Sequence, residues 1–139
     1  MDRATGSRDD ATVVEVGFLT KSGTHKNSDM TVASIAAIHE MGSADGTIPE
    51  RSFMRSTMDE KNEEIENLTK KLADQVLFKN LSARKALGTL GAFIQKAFKQ
   101  KINDGVEPPL KTATIRRKGS SKALVDTGQL INSIDYEVK

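Results

Sequence analysis

Two apolar stripes at helical spacing, separated by a short polar link, constrain this chain most. Over residues 57–77 the stripe is Met58, Ile65, Leu68, Leu72 and Val76. Over 82–103 it is Leu87, Leu90, Ile94, Ala97, Phe98 and Ile102. Apolar residues three and four apart share one helix face, so each stretch predicts an amphipathic helix. The first opens with Asp59, Glu60, Glu63, Glu64 and Glu66, acids that suit the positive end of a helix dipole. The second has Asn80 or Ser82 as a cap and spans about 33 Å. Asn103, Asp104 and Gly105 end it, and Pro108 and Pro109 prevent its resumption. Gly88 and Gly91 inside it each cost about 1 kcal/mol against Ala. Two small residues one turn apart mark either a close approach of another backbone or simple tolerance.

The ends of the chain read differently. In Thr12–Leu19, Val14, Val16 and Phe18 alternate with Val13, Glu15 and Gly17, the period-two pattern of a strand. Leu130–Val138 reads as a second strand with Ile134, Tyr136 and Val138 on one face. A short helix is expected at 32–41, capped by Ser28, Asp29 or Thr31 and closed by Gly42. Residues 42–49 read as loop, 105–128 as a long one in which 112–118 forms at most one helical turn, and 1–11 as a disordered tail. The expectation is an α+β fold over residues 12–139. Its small sheet, formed by the N- and C-terminal strands, packs against two long helices.

The core is expected to be thin. Leu, Ile, Val and Phe number 32 of 139 residues, only a little above the share below which chains stay disordered, and there are six aromatics with no Trp. Cys is absent, which excludes disulfides and thiolate chemistry. Two distant His make a zinc site improbable. No apolar run reaches membrane-span length, and the polar start does not read as a signal peptide. The expected setting is therefore a cytoplasm, with no membrane and no cofactor. The net charge of +2 conceals an asymmetry: residues 79–122 carry +9 and the remainder −7. Such a chain offers one face to an acidic partner, to nucleic acid, or to the acidic face of its own copy.

Three motifs bear on chemistry. Leu124-Val125-Asp126-Thr127-Gly128 matches the aspartic protease signature, which needs two carboxylates and hence a dimer. Only eleven residues follow Gly128, Gln129 stands where a small residue is usual, and long helices contradict an all-β protease. The alternative is a local turn in which Asp126 and Thr127 hydrogen-bond and Gly128 leads into the last element. His39-Glu40 resembles the start of a zincin motif, but Ser43 occupies the second His position; an ordinary packed or surface pair is the simpler reading. The run Lys111–Lys122 holds five basic residues and no acid. It suffices for phosphate contacts but has no aromatic for base stacking, so a solvated or partner-facing loop competes with a nucleic-acid footprint.

Three passages taken in order resemble one family. They are Ala37-Ile38-His39-Glu40-Met41-Gly42, then Ile48-Pro49-Glu50-Arg51-Ser52-Phe53-Met54-Arg55, then Pro108-Pro109-Leu110-Lys111 running on to Leu124-Val125-Asp126-Thr127-Gly128-Gln129-Leu130-Ile131-Asn132-Ser133-Ile134. The chain resembles the neck and tail-completion proteins of tailed bacteriophages, also called minor tail or virion-morphogenesis components, over about residues 12–138. Met41 replaces the family's usual aromatic, and Ser52 stands where Pro is common.

The resemblance implies a structural, non-enzymatic role at the head–tail junction of a virion, assembled in the host bacterial cytoplasm. It implies a homo-oligomeric ring, of six or twelve copies, that docks on the head connector and on tail tube or tail terminator subunits, with DNA passing through the lumen. Pro49, Phe53 and Arg55 are expected to place the segment before the long helix. Asp126, Thr127, Gly128 and Leu130 are expected to form the turn into the last strand. Arg116, Arg117 and Lys118 are expected to lie in an intersubunit or partner arm. The alternative function is a small basic nucleic-acid-binding module, with the protease dimer third.

Overall fold

The computed structural model describes residues 11–19, 32–105 and 128–139. Among these residues, two strands and five helices follow one another as β1 (Val14–Phe18), α1 (Val32–Met41), α2 (Met54–Glu60), α3 (Asn62–Phe78), α4 (Ala83–Asp104), α5 (Gly128–Asn132) and β2 (Ile134–Val138). The α+β architecture is the expected one. β1 and β2 pair antiparallel, with Val14 opposite Val138, Val16 opposite Tyr136 and Phe18 opposite Ile134. The pairing extends to the chain end, where the Thr12 and Val13 N–H groups donate to the Lys139 carbonyl. Ala11, the last residue of the expected tail, is buried; the rest of that tail lies outside the described residues.

A two-stranded sheet is marginal alone in water, and α4 supplies its support. Both strands pack on α4, and Gln95 Nε2 donates to the Ile134 carbonyl at 2.9 Å. Gly91 is the point of closest approach. A Cβ there would lie 2.7 Å from Val14 Cγ2 and 2.8 Å from Tyr136 Cδ2. The close approach at Gly91 is thus made by strand side chains and not by the backbone that was expected. Gly88 has open space where its Cβ would stand, and the tolerance reading applies to it.

α4 begins as expected. Ser82 adopts an extended backbone, and its hydroxyl accepts from the Lys85 N–H at 3.1 Å. From α4, Ile94, Phe98 and Ile102 enter a core with Val32 and Ala36 of α1, Phe53, Leu130 of α5 and Ile134 of β2. Phe53 is fully buried and meets Phe18 and Phe98 edge-on, at centroid distances of 6.0 and 6.5 Å. α3 packs on α4, as expected for the two long helices, yet of its own residues only Leu72 is buried.

Two expectations need correction. The first long helix starts earlier than residue 57 and is interrupted. α2 begins at Met54, and Lys61 separates it from α3 with φ −99° and ψ 7°. Lys61 N–H still donates to the Thr57 carbonyl, and Ile65 N–H to that of Lys61, so the hydrogen bonding passes through the bend. The last strand starts later than residue 130. Gly128–Asn132 makes a helical turn, which tucks Leu130 fully into the core before β2 begins. Among the described residues, no helix is long and apolar enough to cross a membrane.

Candidate functional site

The segment Gly42–Phe53 joins α1 to α2 and carries most of the second passage behind the family resemblance. Gly42 ends α1 with φ +79°, its N–H donating to the Ile38 carbonyl at 2.7 Å. Any side chain there would be strained, and its Cβ would stand 3.1 Å from the Glu50 nitrogen. The chain then turns through a loop held by Asp45. Its carboxylate accepts from the Ser43 and Thr47 hydroxyls at 2.7 Å each and from the Thr47 N–H at 3.0 Å. These donors, the Ser43 hydroxyl first, pull the Asp45 carboxyl down to about 2. Its hydrogen bonds serve the loop itself, and they set the start of Ile48-Pro49.

The loop returns to α1 through Arg51, whose N–H donates to the His39 carbonyl at 2.7 Å. This contact brings the start of α2 against Glu40. Phe53, at the N-cap of α2, has no side-chain acceptor to offer, and the first N–H groups of a helix need one. Glu40 supplies it from fourteen residues away. Glu40 Oε1 accepts from the Met54 N–H at 2.8 Å, and Oε2 accepts from the Arg55 N–H at 3.2 Å. Oε2 also accepts from the Ser52 hydroxyl at 2.6 Å and from Arg55 Nε at 2.9 Å. Arg55 Nη2 reaches the Glu40 carbonyl at 2.7 Å and Glu50 Oε1 at 2.9 Å.

Burial alone would push the Glu40 carboxyl up. The hydrogen bonds from Ser52, Arg55 and the Met54 and Arg55 N–H groups outweigh it and hold that carboxyl below its ordinary value. Glu40 in turn raises the Arg55 guanidinium. Glu40 is buried while the Arg55 side chain is 55% exposed, so one edge of the pair is open to solvent. The arrangement binds charge to charge and caps a helix. Its contacts brace the start of α2 against the end of α1. Among the described residues, no group of three His, Cys, Asp or Glu is placed to hold a metal ion.

The expected site residues are therefore distributed. Phe53 and Arg55 stand at the start of α2, Phe53 in the core and Arg55 on Glu40. Pro49 is exposed beside them. Leu130 is in the same core as Phe53. Gly128 opens α5. Asp126, Thr127, Arg116, Arg117 and Lys118 lie outside the described residues, as does the 106–127 part of the expected arm. Glu40 is the residue that sequence reasoning missed. Its signal was indirect: a helix start without a cap of its own, and an Arg in its first turn to pair with a distant acid.

The charge asymmetry is partly resolved inside the chain. The acidic junction of α2 and α3 lies against the basic end of α4, where Lys101 Nζ meets Oε1 of Glu60, the last residue of α2, at 2.7 Å. A groove of about 340 Å³ runs between these helices, lined by Glu60, Glu64, Lys96 and Lys101 among others. Two large apolar side chains are left on the surface at the far end of α3, Leu77 at 68% and Phe78 at 76% exposure. Both fall outside the stripe Met58, Ile65, Leu68, Leu72 and Val76.

Comparison with protein-family models, with curated proteins and with solved structures gave no match to this chain.

Proposed function

We propose that this chain is a structural, non-enzymatic component of a tailed-phage virion, acting at the head–tail junction by oligomerising and docking on connector or tail subunits. The observation that carries the reading is the convergence of the three resembling passages. Glu40 of the first caps α2 through Met54 and Arg55 of the second. Phe53 of the second shares its core with Leu130 and Ile134 of the third. These residues thus maintain a shape, the kind of constraint an assembly protein needs. The thin core and the uncovered Leu77 and Phe78 fit a subunit completed by neighbours.

The test is placement in the particle. In a phage that carries this gene, gold-labelled antibody should mark the neck of purified virions, and deletion should leave filled heads and tails unjoined. Absence of the protein from purified virions would overturn the reading. The charge-reversed variant Arg116→Glu, Arg117→Glu, Lys118→Glu should fold and fail to assemble, whereas normal virions from it would remove the proposed arm.

One feature favours the second reading, a basic nucleic-acid module. Lys96 and Lys99 line a shallow groove with Gln100 and Asn103, and neither lysine forms an ion pair among the described residues. Duplex binding by the isolated protein that weakens steeply with salt, and is lost in Lys96→Glu, Lys99→Glu, would replace the assembly role.

A further inference from the structure

We propose that the Leu77–Phe78 end of α3 inserts into the apolar groove between β1, α2 and α4 of a second copy of this chain. The contact rests on the assembly reading in that both require copies to meet. Leu77 and Phe78 are the two most exposed large apolar residues of α3. The receiving groove holds about 390 Å³ and is lined by Val14, Val16, Met54, Met58, Ile94 and Phe98. A benzene molecule fills an apolar cavity of about 150 Å³, so the groove has room for the Phe78 ring and part of Leu77. Met58, itself 40% exposed, forms an adaptable wall, since an unbranched thioether side chain follows irregular shapes.

Charge identifies the occupant as another copy. Arg55 and Asp59 flank the groove. The Arg55 guanidinium is spent on Glu40 and Glu50, which leaves Asp59 as the rim charge without an ion pair among the described residues. At the other end, Lys79 adjoins Phe78 and Lys85 lies in the first turn of α4, again without ion pairs among the described residues. Asp74, one turn before Phe78, is an opposing charge on α3. Asp59 at the groove and Lys79 beside the knob carry opposite charges at the two ends of one chain, so knob and groove are complementary between copies.

The geometry fixes the type of contact. Twenty residues of helix, with the bend at Lys61, separate Met58 from Phe78, a path of about 30 Å. Knob and groove are different patches at opposite ends of that path. Their contact is heterologous, and repetition closes a ring or extends a filament according to the rotation per subunit.

The test is light scattering of the full chain across a dilution series. Wild type should grow in mass with concentration. Leu77→Asp, Phe78→Asp (knob-less) and Met58→Glu (groove-less) should each stay monomeric, with melting curves like wild type. An equimolar mixture of the two should form a one-to-one pair that grows no further. Asp59→Lys and Lys79→Glu should each weaken association at least several-fold, and together restore it. These charge variants also serve if Met58→Glu fails to fold. Larger species that persist in the knob-less variant would overturn this contact and leave the assembly reading standing. A wild-type monomer at every concentration would overturn this contact and would also remove the self-assembly part of that reading. A groove-less variant that dimerises like wild type would mean a symmetric knob-to-knob contact, and would overturn the proposal as well.

Discussion

α3 and α4 carry equally clear apolar stripes and end in different situations. α4 buries Ala86, Gly91, Ile94, Phe98 and Ile102 between the sheet and α1. α3 buries Leu72 alone and ends in Leu77 and Phe78, both open to solvent. A stripe records that a face is to be covered. It does not record by what, and in α3 the chain itself covers only part of the apolar surface. The difference separates a helix that makes the fold from one that extends it towards other molecules.

The largest expected effect tests the α4 side. Phe98 is 3% exposed and packs edge-on against Phe53. Phe98→Ala should cost about 3–5 kcal/mol in a denaturant titration, whereas Leu72→Ala should lie near the lower end of about 2–5 kcal/mol. Equal losses would put α3 as deep in the core as α4.

The brace at Glu40 is next. Glu40→Ala leaves two first-turn N–H groups of α2 and the Arg55 guanidinium without their acceptor. About 2–3 kcal/mol should be lost, less than for a fully buried ion pair because Arg55 is half exposed. The pH dependence has a definite sign. The Glu40 carboxyl titrates below its ordinary value of 4.5 in the folded protein. Its contribution is therefore present above that value and lost as pH falls through the lowered one. Glu40→Gln should flatten the stability profile in that acid range; an unchanged profile would show that the carboxylate charge is not what braces α2.

The smallest effects come from the two glycines of α4. Gly91→Ala should destabilise by about 1–2 kcal/mol, since crowding against Val14 and Tyr136 exceeds the gain in helix propensity. Gly88→Ala meets nothing and should stabilise by about 0.5–1 kcal/mol. The same substitution three residues apart thus changes sign with the presence of the sheet. Thermal melts of the two variants would show it, and two shifts in one direction would contradict the packing of β1 and β2 on α4.

The elements legible in the sequence are those whose determinants are local. α4 has its cap at Ser82, its stripe and its terminator within its own stretch. β1 and β2 show alternation, and their pairing follows from there being one strand at each end. The start of α2 was not legible because its cap acceptor, Glu40, is fourteen residues upstream and reaches it only after the loop has closed. The helical turn at Gly128–Asn132 was hidden for a related reason: Leu130 shares the two-residue phase of Ile134, Tyr136 and Val138 and so fits a strand, whereas its burial in the core comes with a helical turn. Of the candidate site, Phe53 and Arg55 were readable from their passage. The exposed Leu77 and Phe78 were not singled out by the sequence, because a stripe does not show which apolar residues stay uncovered.

Amide hydrogen exchange at low and high protein concentration tests the contrast between the two helices most directly. The account predicts that amides near the end of α3, around residues 74–79, gain protection as concentration rises. Those around Met54–Asp59 should gain it in parallel, while the middle of α4 stays unchanged. Protection at the end of α3 that is independent of concentration would contradict the claim that another copy covers it.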